Sequence, residues 1–286
     1  MGEAEGSMNF LDFAAGYGLM IRHIDYGKWK RVPTTDHPHK KNGAYIHTGD
    51  FAAIQNWATM DEPAIWHPDR ADNAPQIDRA AMARRRAADE SRLRQDRENA
   101  AKKAREIVKE CTQAQHAYLD RKGFPDMRGL VYREDSDNLL VVPMYAGKMI
   151  VGCQMIDVDG EKKFLHGQQA KGAEFVIGRG DLHAWCEGYA TGLSIHAAAK
   201  QRLTVHVCFS AGNLTLLAKQ AGNGIVVADN DASGTGEKAA QATGLPYFMP
   251  PTVGNDFNDM HREQGLFRAT MALNDWMRNN LRKGRG

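Results

Sequence analysis

Three carboxylates in the second half of the chain follow apolar segments and have the spacing expected of a divalent-cation site. Glu187 follows Trp185-Cys186, and Asp229 and Asp231 form a D-x-D pair after the apolar segment 224–228. In an α/β sheet, ligands and catalytic groups gather beyond the carboxyl ends of the strands. Buried charge is costly unless a metal or a partner compensates for it. Because Mg²⁺ prefers hard oxygen ligands and often shares them with phosphates, the pattern predicts phosphoryl-transfer chemistry.

The geometry expected of this site depends on the strands that carry it. Asp229 and Asp231 are two residues apart, so their side chains would share one face if the strand continued through them. Asp256 and Asp259, near the end of the chain, are candidates for a further metal ligand or a water-mediated contact. For either of these two aspartates alone, capping of a helix N-terminus is an equally good interpretation.

The pattern around the carboxylates predicts alternating strands and helices. Glycine-bounded β-rich segments and helix-forming segments follow one another from residue 182 to residue 250, which indicates parallel βαβ units. Residues 129–177 are instead β-rich throughout, with a hairpin turn at Ala146-Gly147. A last helix is expected over residues 266–281.

The first 122 residues have a different character. Short β-rich segments separated by proline and glycine, including one at 56–59, predict a small antiparallel sheet before residue 70. Residues 77–122 are rich in Ala, Arg, Lys and Glu, which indicates a long solvated helix. Apolar residues at spacings of three and four near Ile107 predict that the end of this helix packs on the next domain.

Composition excludes several classes of protein. The 286 residues have a net charge of +2, so nucleic-acid binding would have to depend on local clusters of charge. Four cysteines without a C-x-x-C pair predict reduced, mostly buried thiols. No apolar segment has the length of a membrane span, so no membrane partner is expected. The segment Gly234-Thr235-Gly236-Glu237-Lys238 lacks the spacing of a phosphate-binding loop, which argues against an ATPase motor.

The N-terminal region offers two further hypotheses. Lys30 and Arg31 together with Trp57 are predicted to contact nucleic acid, since cations follow the phosphates and aromatic faces stack on unpaired bases. The alternative for the tryptophans of this region is a role in its core. Four histidines raise the question of zinc, but the segment has no cysteine, so zinc is not expected.

The motifs around the carboxylates resemble a known family. Glu187-Gly188, followed by Asp229-x-Asp231 and Gly234, is similar to the TOPRIM domain of bacterial-type DNA primases, topoisomerases and certain nucleases. The flanking segments 139–154 and 159–165, together with Ala211-Gly212-Asn213-Leu214 and Asp256-Phe257-Asn258-Asp259, resemble the TOPRIM primases of phages, plasmids and mobile elements. The resemblance covers residues 123–265.

This resemblance implies an α/β fold, in which a TOPRIM parallel-sheet domain follows a β-rich basic subdomain, a long charged helix and a small N-terminal β-rich module. The expected divisions are residues 1–7 (an added tag remnant), 8–76 (the N-terminal module, zinc-finger-like in shape), 77–122 (the helical linker), 123–180 (the β-rich first part of the primase core), 181–262 (the TOPRIM domain) and 263–286 (the C-terminal helix).

The resemblance also implies a function. A primase synthesises short RNA primers from ribonucleoside triphosphates on a single-stranded DNA template, with Mg²⁺ or Mn²⁺ as cofactor. Glu187, Asp229 and Asp231 would be catalytic and would hold the ions, with Asp256 and Asp259 as additional ligands. Expected contacts to nucleic acid or nucleotide in this core are Lys162, Lys163, Lys171, Arg179 and Asn213. A replicative helicase is a candidate partner, and the expected location is the cytoplasm of a bacterial host.

Two alternatives remain open from the sequence. The first is a TOPRIM nuclease, which the acidic motif alone does not exclude, although the β-rich segment before Glu187 favours a primase. The second is a non-catalytic module that binds single-stranded DNA during replication. The intact set of three carboxylates argues against this second alternative, because a site that has lost its activity has no reason to keep three costly charges.

Overall fold

The structure is a computed structural model that describes residues 9–68, 79–134, 137–200 and 202–281. It contains two compact units, Met1–Glu90 and Ser91–Gly286, and each is described by itself. Residues 1–7, interpreted above as a tag remnant, and the expected boundary between residues 76 and 77 lie outside the described residues.

The N-terminal unit is built on a four-stranded antiparallel sheet with the order β1-β2-β3-β4. Its elements within residues 9–68 are α1 Phe10–Gly16, β1 Lys30–Val32, β2 Gly43–His47, β3 Ala52–Asn56 and β4 Ala64–Trp66. Tyr45 and Ile54 face each other across β2 and β3, and both are fully buried against Phe10. The antiparallel sheet predicted for this region is therefore confirmed.

One strand predicted in this unit is wrong. Only Asn56 of the predicted segment 56–59 lies in a strand, as the last residue of β3, and residues 57–59 form a turn. The side-chain oxygen of Asn56 accepts a hydrogen bond from the N–H of Ala58 at 3.1 Å, and its backbone carbonyl accepts one from Met60 at 2.9 Å. An asparagine that bonds to the backbone two residues ahead favours a turn over an extended strand.

The second unit contains two sheets and the helices that cover them. Its elements within the described residues are α2 Arg79–Glu110 (from Ser91 onward in this unit), β5 Thr112–Ala114, α3 Ala117–Arg121, β6 Gly129–Glu134, β7 Asp137–Ala146, β8 Met149–Ile156, β9 Lys162–Phe164, β10 Phe175–Ile177, β11 Leu182–Cys186, α4 Tyr189–Ala198, β12 Leu203–Val207, α5 Ala211–Ala221, β13 Ile225–Val227, α6 Thr235–Thr243, β14 Tyr247–Phe248, α7 Phe257–Gln264 and α8 Leu266–Leu281.

The first sheet of this unit is antiparallel, with the order β5-β6-β7-β8-β9. Alternate residues of β7 face opposite sides, as the pleat of a strand requires. Val141 packs with Ala104 and Ile107 of α2, which confirms that the end of the long helix docks on the following sheet. Leu140 and Val142 face the core shared with the second sheet.

The long helix ends earlier than its composition predicted. It stops at Glu110, and Thr112–Ala114 pair with β6 as an edge strand before the short helix α3 begins. The side chain of His116 caps α3, since its Nδ1 accepts a hydrogen bond from the N–H of Tyr118 at 3.2 Å. This break separates the charged helix from the apolar residues of α3, Tyr118 and Leu119, both of which are buried.

The second sheet has the order β10-β12-β11-β13-β14, in which β12, β11, β13 and β14 are parallel and β10 is antiparallel to β12. Ile225 and Val227 of β13 face a core that includes residues of α4, α7 and α8. Val226 faces the opposite side, with Leu214 of α5 and Ala240 of α6. A parallel sheet covered by helices on both faces is the predicted α/β architecture, which is thereby confirmed.

Two further observations bear on the sequence analysis. The four cysteines are free, and all but Cys111 are fully buried. Within the described ranges, no helix is both long and apolar enough to cross a membrane.

Candidate active site

The parallel sheet brings two of the predicted carboxylates to one edge. β11 and β13 are neighbours, with Ala184 opposite Ile225. Glu187 follows the last residue of β11 directly, and Asp229 comes two residues after the end of β13. Since both strands run in the same direction, their carboxyl ends, and with them the two acidic residues, lie at the same edge of the sheet.

The carboxylate of Asp229 is buried and is not fully satisfied by the surrounding described residues. Its Oδ1 atom is buried and has no hydrogen-bond partner among the residues that the structure describes. Burial, followed by the charges of Asp256 and Glu187, raises the pKa of Asp229 to about 7, although the charge of Lys162 acts in the opposite direction. A buried oxygen without a partner destabilises the fold unless another group satisfies it.

Glu187 is partly buried, and the charges of Lys162 and Asp231 act on it. Burial raises its pKa, the charge of Lys162 lowers it, and the charge of Asp231 raises it. A hydrogen bond from the backbone of Ala211, the first residue of α5, also lowers this pKa. The side chain thus lies within electrostatic reach of a lysine and a second carboxylate.

Asp231 does not share a strand face with Asp229, contrary to the expectation from the sequence. The strand ends at Val227, so the D-x-D pair lies in the loop before α6. The Oδ1 atom of Asp231 accepts hydrogen bonds from the N–H groups of Ser233 at 3.0 Å and Thr235 at 3.1 Å, and Oδ2 accepts one from Gly236 at 2.7 Å. Hydrogen bonds from Ser233 and from the backbone lower its pKa to about 2. In this conformation, Asp231 caps a helix.

Asp256 and Asp259 form a capping box at the start of α7, a helix that the sequence analysis did not predict. The Oδ1 atom of Asp256 accepts from the N–H of Asp259 at 2.9 Å, and the Oδ2 atom of Asp259 accepts from the N–H of Asp256 at 3.1 Å. Oδ2 of Asp256 also accepts from the hydroxyl of Thr191 at 3.1 Å. The capping interpretation therefore describes both residues, although the charge of Asp256 still reaches Asp229.

Of the two adjacent lysines in β9, Lys162 is the one near the carboxylates. Its charge lowers the pKa of both Glu187 and Asp229. Side chains alternate along a strand, so Lys163 faces the other side. Lys163 is 62% exposed and forms an ion pair with Glu161 at 3.5 Å.

A polar pocket of about 350 Å³ contains four cationic side chains. One of them, Lys162, also acts on the edge of the parallel sheet that carries Glu187 and Asp229, called here the carboxylate edge. It is lined by Tyr118, Arg121, Lys122, Asp159, Gly160, Lys162 and Arg262. The hydroxyl of Tyr118 is buried and has no hydrogen-bond partner within the described part of the chain. Burial, followed by the charge of Asp256, raises the pKa of this hydroxyl. No sequence motif predicted this pocket, because its lining residues come from distant parts of the chain.

The remaining residues predicted for the core fall in two places. Asn213 is buried, and its Nδ2 donates to the carbonyls of Ala173 at 2.7 Å and Cys208 at 2.8 Å, while its Oδ1 accepts from the N–H of Gly172 at 2.8 Å. This clamp holds the exposed residue Lys171, next in the chain to Gly172, close to the start of α5.

Arg179 is exposed and is not brought to the carboxylates. It follows β10, which runs antiparallel to β12 with Phe175 opposite Val207 and Ile177 opposite Val205. The end of β10 therefore lies at the edge of the sheet opposite the carboxyl end of β12.

Two of the three predicted nucleic-acid contacts of the N-terminal unit, Arg31 and Trp57, lie against each other. The guanidinium of Arg31 lies over the ring of Trp57, 4.0 Å from its centroid, and Trp57 is 48% exposed. Lys30 forms an ion pair with Asp25. An exposed ring with a cation on one face presents a surface suitable for stacking.

Comparison with known families identifies the domain that carries the carboxylates. Residues 183–266 match the family model described as the Toprim domain. The segment begins in β11 and ends at the start of α8, so it contains the carboxyl-terminal edge with Glu187 and Asp229. The expectation of a TOPRIM domain in this part of the chain is confirmed.

The solved structures that this chain resembles are distant. A chain in the structure of the bacteriophage T7 lagging-strand DNA polymerase interacting with primase domains is 14% identical, with a TM-score of 0.42 over 58% of this chain and 91% of that one. The primase fragment of the bacteriophage T7 primase-helicase protein is 16% identical, with a TM-score of 0.39 over 54% and 67% of the two chains. The RNA polymerase domain of Mycobacterium tuberculosis primase DnaG is 20% identical, with a TM-score of 0.35 over 69% and 76%.

The residues at the carboxylate edge fit a divalent cation in part. Toprim domains generally use divalent metal ions. The partnerless oxygen and raised pKa of Asp229 are what a cation would compensate, and Glu187 shares its electrostatic environment. In the described residues, however, no group of three or more His, Cys, Asp or Glu side chains is already arranged to hold a metal. Both oxygens of Asp231 are instead engaged by backbone N–H groups at the start of α6.

Proposed function

We propose that this chain is a DNA primase, which synthesises short RNA primers on single-stranded DNA by metal-dependent nucleotidyl transfer. The observation that carries the proposal is the combination, within one compact unit, of the Toprim carboxylate edge with the cationic pocket. Lys162 belongs to both, since it lines the pocket and lowers the pKa of Glu187 and Asp229. Carboxylates beside a group of cations suit a substrate that binds through both metal-bound and free phosphates.

The phosphate groups of a nucleoside triphosphate match the pocket in charge. Arg121, Lys122 and Arg262 add three cations to that of Lys162, and the lining contains one carboxylate, Asp159, so the positive charges outnumber the negative one. Arginine binds phosphate oxygens with two parallel hydrogen bonds, and lysine binds them as a point charge. The partnerless hydroxyl of Tyr118 is a further donor at the wall of the pocket.

Nucleotidyl transfer joins the 3′-oxygen of the primer to the α-phosphorus of the nucleotide and releases pyrophosphate. Asp229 and Glu187 would hold the divalent ions, Mg²⁺ or Mn²⁺, with Asp231 as a further ligand once it is released from α6. Bound ions would supply charge stabilisation for the phosphates and help to orient the attacking oxygen. As the alternative to holding an ion, Glu187 would accept the proton of the attacking hydroxyl, a role that its raised pKa in the metal-free protein suits.

The remaining predictions about partners belong to the same proposal. The template would be single-stranded DNA, the substrates would be ribonucleoside triphosphates, and a replicative helicase would be the protein partner. Lys163, Lys171 and Arg179 are exposed and could contact the template backbone, where binding is independent of sequence and weakens with salt.

A direct test supplies single-stranded DNA, labelled ribonucleotides and either Mg²⁺ or Mn²⁺. Wild-type protein should produce labelled oligonucleotides, and Glu187→Gln and Asp229→Asn should each reduce synthesis by at least about 100-fold, because each removes one ligand charge. Asp181→Asn is the matched control, since Asp181 is exposed and precedes β11 at the opposite end of that strand. This variant should retain full synthesis.

Two results would replace the proposal with one of its alternatives. If wild-type protein cuts DNA and makes no primers, the site is that of a Toprim nuclease. If it binds single-stranded DNA but neither cuts nor synthesises with either metal, the chain is a non-catalytic binding module.

A further inference from the structure

A strained aromatic residue, Phe209, lies two residues after the end of β12. Phe209 has a φ of 66°, a backbone conformation in which a bulky non-glycine residue is a genuine outlier. Two hydrogen bonds hold it there: the N–H of Phe209 donates to the carbonyl of Glu187 at 2.9 Å, and the preceding carbonyl, that of Cys208, accepts from Asn213 at 2.8 Å. Strain of this kind concentrates at functional sites.

The ring of Phe209 supports a second, exposed aromatic ring. Phe209 is partly buried and packs against a small cluster of buried residues that includes Met144 and Val151. Phe164 of β9 meets it edge to face, with ring centroids 6.4 Å apart and an interplanar angle of 84°. Phe164 itself is 46% exposed. An edge-to-face pair fixes the orientation of the outer ring and leaves part of its surface free.

The exposed ring belongs to the face of β9 that is near the carboxylates. Phe164 and Lys162 are two residues apart in a strand, where they pair with Gln154 and Ile156 of β8, so their side chains point to the same side. Lys162 is the lysine whose charge acts on Glu187 and Asp229. One side of the strand thus presents a cation for phosphate and an aromatic ring beside it.

Single exposed apolar residues are common on protein surfaces and need no function. Two features distinguish Phe164 from Phe267 of α8, which is 75% exposed. Phe164 has an aromatic partner in a strained conformation, and that partner is hydrogen-bonded to the backbone of Glu187. Every nucleobase has an aromatic face that can stack on such a ring, so this contact does not depend on the sequence of the nucleic acid.

We propose that Phe164, supported by Phe209, is a stacking surface for an unpaired nucleobase beside the carboxylate edge. The inference rests on the proposed function, because it assigns a binding position for the base of a molecule whose phosphates occupy the charged part of the site. That base belongs either to the incoming nucleoside triphosphate or to the template strand.

The test compares three ligands with full-length protein at one salt concentration: ribose-labelled ATP, an end-labelled single-stranded oligodeoxythymidine, and inorganic tripolyphosphate as a competitor without a base. Phe164→Leu should weaken binding of at least one base-containing ligand by about 5- to 100-fold, the range expected for loss of one stacked base. Its affinity for tripolyphosphate should not change. Phe164→Trp should restore binding, and Phe267→Leu, the same substitution on α8, should leave all three affinities unchanged.

The pattern of losses identifies the source of the base. Weaker binding of ATP alone assigns the surface to the incoming nucleotide, and weaker binding of the oligonucleotide alone assigns it to the template. Unchanged affinity of Phe164→Leu for both overturns the inference, as does an equal loss for tripolyphosphate or a failure of wild-type protein to bind either base-containing ligand. None of these measurements requires primer synthesis. If the wild-type protein makes no primers and Phe164→Leu still weakens base-dependent binding, only the primase proposal is refuted.

Discussion

Asp229 and Asp231 are separated by one residue and have opposite electrostatic environments. Oδ1 of Asp229 is buried without a partner in the described structure, whereas both oxygens of Asp231 accept hydrogen bonds from the beginning of α6. The pKa of Asp229 is raised to about 7, and that of Asp231 is lowered to about 2. One carboxylate of the D-x-D pair thus destabilises the fold when it ionises, and the other stabilises it.

Asp229→Asn should make the metal-free protein more stable at pH 8. Burial, together with the charges of Asp256 and Glu187, raises the folded-state pKa of Asp229 from 3.8 to about 7, so wild-type stability falls as pH rises through that interval. We expect a gain of about 2 kcal/mol in the free energy of unfolding at pH 8, and little gain at pH 4. Denaturant unfolding in the presence of a chelator measures both values.

The matched variant for this experiment is Asp181→Asn, which removes an exposed carboxylate and should not change the pH dependence. If Asp229→Asn is less stable than wild type at pH 8, the buried carboxylate has a partner that the fold supplies, and the interpretation of Asp229 as a candidate metal ligand is wrong.

A divalent cation should stabilise the wild-type protein because it supplies the partner that Asp229 lacks. At pH 8, millimolar Mg²⁺ or Mn²⁺ should raise the melting temperature by a few degrees, as any ligand that binds only the folded state does. The effect should weaken as pH falls below about 7, because the ion must then displace a proton from Asp229. Thermal unfolding with and without metal, at pH 8 and pH 6, provides the measurement.

Glu187→Gln and Asp229→Asn should each reduce this stabilisation, whereas Asp181→Asn should retain it. The same rise in melting temperature in wild type and in Asp229→Asn would show that the cation binds elsewhere.

The sequence determined the position of this site better than its detailed geometry. The apolar segments before Glu187 and Asp229 predicted two strand ends at one edge of a sheet, and the parallel pairing of β11 with β13 agrees with that. The role of Asp231 could not be predicted, because it depends on whether the strand continues past Val227. The continuous apolar segment 225–228 does not determine where the strand ends. That position follows from competition with the N–H groups of α6, which become available only once that helix forms.

The cationic pocket shows a second limit of the sequence. Arg121 and Lys122 are 140 or more residues away from Arg262 in the chain, and no periodicity connects them. They meet because α3 and α7 pack in the same core, where Tyr118 and Phe257 are both buried. Tertiary packing of short helices, rather than a local motif, creates this part of the site.

Asp231→Ala should destabilise the second unit, because the N–H groups at the beginning of α6 lose their acceptor. Three backbone donors now bond to this one side chain. We expect a fall of about 2–4 °C in the melting temperature at pH 7 without metal. Asp231→Asn should lose less, since its amide oxygen can still accept.

The pH dependence of this contribution has a definite sign. The folded-state pKa of Asp231 is lowered from 3.8 to about 2, so the stabilisation is complete above pH 4 and is lost as pH falls towards 2. Equal melting temperatures of wild type and Asp231→Ala at pH 7 would mean that the cap does not form in solution and that Asp231 is free to bind metal directly.

Trp57 and Arg31 provide the test of the N-terminal unit. Trp57→Ala should weaken binding of single-stranded DNA by about 5-fold or more, because it removes both the exposed ring and the surface on which the guanidinium of Arg31 rests. Trp57→Phe should recover part of the affinity, since it keeps a ring. Arg31→Ala should reduce both the affinity and the salt dependence, because the guanidinium would contact a phosphate. Fluorescence anisotropy at several salt concentrations separates these two effects. If Trp57→Ala binds as tightly as wild type, the pair only stabilises the turn after β3, and single-stranded DNA binding belongs to the second unit alone.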